Sequence, residues 1–216
     1  MSTVRQLLAQ AAGIESDDPR RDAEVLLCHC LGCSRTALYT WPEKAVDAGP
    51  VAQFHQLLAR RAAGEPVAHL TGGREFWRQS LQVSADTLIP RPDTETLVEW
   101  ALELPLAAQA RVLDLGTGTG AIAIALAVER PQWRVSATDV SAAALVVARR
   151  NAGHCCPGRL RLHRGDWFAA VAGERFELVV SNPPYLAAGD PHLQRGDLRF
   201  EPRAALVAGE DGLAAL

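Results

Sequence analysis

The sequence has no stretch near the roughly 18 unbroken apolar residues that a membrane-spanning helix needs. Its opening, Met1-Ser2-Thr3-Val4-Arg5-Gln6, lacks the apolar core and small-residue cleavage site of a secretory signal. Both absences lead to the expectation of a cytoplasmic protein with no membrane partner. An even set of cysteines is missing too: five cannot all pair within the chain, and thiols stay reduced in the cytosol. Cys28, His29, Cys30 and Cys33 crowd together, but Cys28 and Cys30 lie two apart on an expected helix. They point to different sides, so no ligand cage follows and no metal is expected. Cys155-Cys156 reads as a loop pair.

Charge of one sign is also scarce. The net charge is −3, and arginines occur singly or in pairs, as at Arg20-Arg21, Arg60-Arg61 and Arg149-Arg150. A domain that neutralises many phosphates carries a basic stripe, so nucleic acid is disfavoured as the main partner. Neither an internal repeat nor a low-complexity tract is present. What remains is an ordinary soluble composition, 48% hydrophobic and 22% charged. At 216 residues the chain suits one large domain, or a small one followed by a larger one.

Residues 1–71 read as an all-helical domain. Val4, Leu7, Leu8 and Ala11 follow helical spacing. Asp18-Pro19 marks the start of a helix carrying Ala23, Leu26, Leu27 and Cys30, and Ser34 caps a short one through Leu38. Gly49-Pro50 opens another that Gly64 closes. Residues 72–91 read as a β-hairpin linker, with strands expected in 74–83 and 87–89. From Pro92, a helix to about Leu104 leads into alternating strands and helices. The strands are expected at 111–115, 134–138, 160–163 and 176–180. Helices are expected at 121–129 and from a Ser141 cap to Gly153. That alternation implies right-handed crossovers and a parallel sheet covered on both faces, so the fold class is α/β.

Asp114-Leu115-Gly116-Thr117-Gly118-Thr119-Gly120 ends the first of these strands. Its glycines permit a tight turn and let a ligand approach the main chain. With Ala121 the run also satisfies a dinucleotide fingerprint, and a bland turn remains open. About twenty positions on, Asp139 stands where a ribose would be held; its alternative role is stabilising the next helix N-terminus. Asp166 and Trp167 follow the third strand, offering a carboxylate and an indole face for an adenine, or in the case of Trp167 a core ring.

Asn182-Pro183-Pro184-Tyr185 follows the fourth strand, at the sheet edge where ligands bind. Asn182 offers a side-chain carbonyl, a peptide carbonyl lies next along the chain, and prolines hold such acceptors rigidly. Two fixed acceptors suit an NH2 group, and Tyr185 can stack on a planar one. An amide nitrogen is a poor nucleophile, so orientation is what it needs most.

These residues resemble the amino-group methyltransferases acting on adenine, cytosine or glutamine. Gly72-Gly73-Arg74-Glu75-Phe76-Trp77, Ile89-Pro90-Arg91-Pro92-Asp93-Thr94-Glu95, Arg199-Phe200-Glu201-Pro202 and Glu65-Pro66-Val67-Ala68-His69-Leu70 narrow the resemblance. Together they are similar to the bacterial release-factor glutamine methyltransferases, the HemK/PrmC family. The resemblance implies a Rossmann-like class I methyltransferase domain over 92–216, with S-adenosylmethionine as methyl donor and S-adenosylhomocysteine as product. It implies as substrate the Gly-Gly-Gln glutamine of class 1 peptide chain release factors, docked with help from residues 1–71. Gly116, Thr117, Gly118, Thr119, Gly120, Asp139, Asp166, Trp167 and Asn182 are then expected at the donor. Asn182, Pro183, Pro184 and Tyr185 are expected at the glutamine amide, with Asn182 and Pro183 catalytic.

The family's sheet has seven strands, and only 31 residues follow Tyr185 (216 minus 185). Asp211-Gly212-Leu213 is read as the start of a helix toward a fifth strand. A truncated domain is therefore expected, with strand four left as an apolar edge. Three rivals remain: a methyltransferase acting on DNA or RNA bases, a nicotinamide oxidoreductase, and an inactive fragment that only binds donor or partner.

Overall fold

The structure, a computed structural model, describes residues 2–14 and 16–215. They form two compact units. One runs to Thr71 and includes Gln194–Phe200; the other holds Gly72–Leu193 and the residues from Glu201 onward.

The first unit is built from β1 (Ser2–Thr3), α1 (Val4–Leu8), α2 (Pro19–Leu31), α3 (Arg35–Thr40), β2 (Ala45–Val46), α4 (Ala48–Ala62) and α5 (Val67–Thr71). Capping chemistry sets its clearest boundaries. Asp18 accepts from the Arg21 N–H at 3.0 Å with Pro19 in the first turn of α2, and Ser34 accepts from the Ala37 N–H to start α3. Val4, Leu7, Leu26, Leu27 and Phe54 form the buried core. Two expectations need correction. The unit is not all-helical, because β1 and β2 pair antiparallel over two residues each, too short for a periodic signal. The helix expected from Val4 through Ala11 changes at Leu8 into a 3-10 turn, Ala9–Gly13, which still buries Ala11.

The second unit begins with a hairpin, β3 (Gly73–Phe76) against β4 (Gln79–Gln82). Both strands come from the stretch read as one strand, and they turn at Trp77 and Arg78, whose φ values are +47° and +62°. Two consecutive left-handed residues make a turn whose twist matches a hairpin. Residues 87–89 form no strand; the Ile89 N–H donates to the Glu201 carboxylate instead of to a neighbouring strand. A 3-10 turn, Pro92–Thr94, precedes α6 (Glu95–Glu103).

The remaining elements are β5 (Arg111–Leu115), α7 (Ala121–Glu129), β6 (Arg134–Asp139), α8 (Ala142–Cys155), β7 (Leu160–Arg164) and β8 (Leu178–Ser181). The four strands form a parallel sheet in the order β7-β6-β5-β8. This is the Rossmann-like architecture. Residues 121–127 of α7 are all buried, which explains why that helix is apolar on every side. Val112, Val135 and Ala137 pack in the same core, whereas Leu113 and Leu115 face the other way, onto Val171. β8 is an edge of the described sheet, with Val179 42% exposed. Residues 211–213 form no helix. The chain doubles back there: the Ala188 N–H donates to the Gly209 carbonyl at 2.9 Å, and a Cβ on Gly212 would stand 2.6 Å from the Tyr185 carbonyl oxygen. Among the described residues no helix is long and apolar enough to cross a membrane.

Candidate active site

The strand order reverses beside β5, since β6 and β7 are laid down on one side of it and β8 on the other. A crevice forms at such a switch point, outside the C-terminal strand ends. Leu115 pairs with both Thr138 and Ser181, so the three strands end level, and the Ser181 hydroxyl donates to the Leu115 carbonyl at 2.8 Å. The glycine loop and the Asn182 tetrapeptide leave from opposite sides of this crevice.

Gly116 and Gly118 have φ values of +69° and +55°, and a Cβ on either would meet nothing within 4 Å. The loop backbone therefore faces open space. Asp139 holds it there: one carboxylate oxygen accepts from the Gly118 N–H at 2.9 Å and the other from the Ser141 N–H at 2.9 Å. Each oxygen keeps a further lone pair for a ligand hydroxyl. Helix-terminus support and ligand binding are thus compatible roles for one carboxylate.

Two residues behind the loop were not singled out from the sequence. Asp114 is fully buried and accepts from the Thr117 hydroxyl at 2.6 Å. Burial pushes its carboxyl up to about 7, with the Asp139 charge adding and the Thr117 bond opposing. Asn151, buried on α8, donates to the Thr119 carbonyl at 2.9 Å and exchanges hydrogen bonds with the Gln82 backbone. It ties the glycine loop to β4. Asp114 stood inside a motif already quoted, whereas a helical asparagine gives no signal in one sequence.

A cavity of about 400 Å³ opens at the crevice. Its walls include Gly116, Thr117, Gly118, Thr119, Asp139, Asp166, Trp167, Asn182 and Pro184 among the expected site residues. Gly120, Pro183 and Tyr185 are outside the wall. Gly120 stands at the N-cap of α7 with φ +86°, where a Cβ would approach Ile124 Cδ1 to 3.0 Å. Tyr185 is 68% exposed. Trp167 both lines the cavity and packs against the cluster of Leu113, Leu115 and Val171.

The facing wall was not foreseen. Thr87, Leu88, Pro90, Arg91 and Thr94 contribute to it, with Pro202, Ala205 and Val207. Glu201 joins these two segments, accepting from the Ile89 N–H at 2.9 Å and pairing with the Arg91 guanidinium. The Asn182 side-chain NH2 donates to the Thr94 hydroxyl at 3.2 Å.

Comparison with known proteins assigns the chain to a family. The family described as PrmC N-terminal domain matches residues 2–72, and Methyltransferase small domain matches 93–196. The release factor glutamine methyltransferase of Xylella fastidiosa is 54% identical over 216 residues, 100% of this chain and 77% of that protein. The chain belongs to the release factor glutamine methyltransferase family. The Escherichia coli member is 51% identical over 211 residues, covering 98% of this chain and 76% of its own length. The Shewanella oneidensis member is also 51% identical, over 93% of this chain and 70% of its own. Among solved structures, the hMettl16 catalytic domain in complex with a MAT2A 3′UTR hairpin superposes with a TM-score of 0.50. It is 18% identical, over 72% of this chain and 58% of that one, and shares the fold.

Proposed function

We propose that this protein transfers a methyl group from S-adenosylmethionine to the side-chain amide nitrogen of the Gly-Gly-Gln glutamine in class 1 peptide chain release factors, in the cytoplasm. The observation that carries the reading is the convergence of Asp139, the open glycine backbone and Asn182 on one cavity.

The residues present fit the donor. Gly116 and Gly118 leave room against the main chain, the Asp139 carboxylate keeps lone pairs for ribose hydroxyls, and Asp166 and Trp167, lining the same cavity, would take the adenine. When bound, S-adenosylmethionine supplies an electrophilic methyl on a sulfonium centre and is left as S-adenosylhomocysteine. The protein's own share is binding and orientation. Asn182 Oδ1 and the Pro183 carbonyl accept the two hydrogens of the glutamine NH2, which fixes the nitrogen and aims it at the methyl; as the N–C bond forms and the S–C bond breaks, one of those hydrogens leaves as a proton. Tyr185, exposed, is free to close its ring over the planar group. Pro183 and Pro184 stiffen the backbone that carries these acceptors. Residues 1–71 form the docking domain for the release factor, and 92–216 the transfer domain.

Transfer of a labelled methyl from the donor to a class 1 release factor tests this. Label should appear on the factor, not on DNA, and replacing the Gly-Gly-Gln glutamine should abolish it. Asn182→Ala should lower kcat by about 100-fold, the scale for losing one transition-state hydrogen bond in a preorganised site. Undiminished turnover by Asn182→Ala would reject the assignment.

A further inference from the structure

The Asn182 amide has two chemically opposite ends. Its oxygen accepts hydrogen bonds, whereas its NH2 only donates. The two ends are nearly equal in size, so shape does not choose which one faces the cavity. Were the NH2 turned toward a substrate NH2, donor would meet donor and the contact would repel. A neighbouring group must set the orientation.

That neighbour is Thr94. Its hydroxyl accepts from Asn182 Nδ2 at 3.2 Å, and both residues line the cavity. Thr94 is itself held from several directions. It ends the 3-10 turn Pro92–Thr94, and its N–H donates to the Arg91 carbonyl at 3.1 Å. Arg91 and the Ile89 backbone are pinned by buried Glu201. On the other side, Glu95 accepts from the Trp77 N–H at 2.9 Å. The hydroxyl therefore rides on a segment fixed at both ends.

We propose that Thr94 is a positioning residue for methyl transfer: by accepting from Asn182 Nδ2 it turns Asn182 Oδ1 toward the substrate amide. This rests on Asn182 being the acceptor assigned above. A threonine hydroxyl can also donate, but the reversed amide would then set NH2 against the substrate NH2. The observed orientation gives Asn182 Nδ2 an acceptor and leaves Oδ1 for the substrate NH2. Thr94 acts through Asn182, so its removal should disturb the transfer step and leave donor binding alone.

Valine matches threonine in shape without the hydroxyl, and serine keeps the hydroxyl. Steady-state kinetics with an intact class 1 release factor, and calorimetry with S-adenosylmethionine, should therefore be run on Thr94→Val, Thr94→Ser, Asn182→Ala and the Thr94→Val/Asn182→Ala double variant. Thr94→Val is expected to lower kcat about tenfold, the loss of one well-placed hydrogen bond, with donor affinity and Tm unchanged. Thr94→Ser should recover most of it. In the Asn182→Ala background the valine should cost nothing further, because the partner is gone. Wild-type kcat in Thr94→Val beside an impaired Asn182→Ala would overturn the proposal alone, as would additive losses or failure of serine to rescue. Wild-type kcat in Asn182→Ala would overturn both this proposal and the reading beneath it.

Discussion

Asp114 carries a consequence that its neighbours do not. Folded, it keeps its proton to about pH 7, whereas the ordinary carboxyl value is 3.8. Between those values the folded state binds more protons than the unfolded chain, so stability falls as pH rises through the window and levels off above it. Asp114→Asn keeps the shape and removes the titration. Between about pH 5.5 and about pH 8, the wild type should lose on the order of 1–2 kcal/mol more than the variant. Urea unfolding at the two pH values measures this, and equal losses would contradict it. At this scale the sequence was generous where chemistry is local. Asn182, Asp139 and the glycines announce themselves by type and by position after a strand. Asn151 does not, and Glu201 entered only within a family stretch with no role attached, because their importance lies in partners about 70 and 110 positions away, and no spacing rule reaches that far.

Among the elements, those whose ends carry their own signal were readable. Asp18, Ser34 and Ser141 each cap a helix as their residue types suggest, and the alternation of strand and helix gave the parallel sheet. Elements fixed by distant bonds were not. Residues 87–89 have strand-like composition, yet Glu201 takes the Ile89 N–H and holds the segment as cavity wall. The hairpin turn also escaped notice, since Trp77-Arg78 contains none of the residues that favour left-handed backbone. Arg78 is exposed at φ +62°, a conformation costly for a side chain with a Cβ. Arg78→Gly should therefore stabilise the hairpin unit by about 0.5–1 kcal/mol. A thermal melt gives the answer, and a lowered Tm would mean that the arginine makes a contribution exceeding its backbone strain.

At the scale of the whole molecule, one unit carries both the glycine loop and the Asn182 loop on a single sheet edge, and family membership covers the chain nearly end to end. The parallel sheet was legible from alternation, whereas the strand order β7-β6-β5-β8 and its switch point came from the structure, since the same alternation permits more than one order. The facing wall was hidden, being made of irregular segments with no period. The central proposal is that one glutamine is methylated at this cavity. The direct measurement is tandem mass spectrometry of the peptide spanning Gly-Gly-Gln, after incubating this protein with S-adenosylmethionine and a class 1 release factor. The expected result is a single added methyl on that glutamine side chain, accumulating about 100-fold more slowly when Asn182→Ala is used. An unmodified glutamine, or a methyl carried on another residue, would contradict the account.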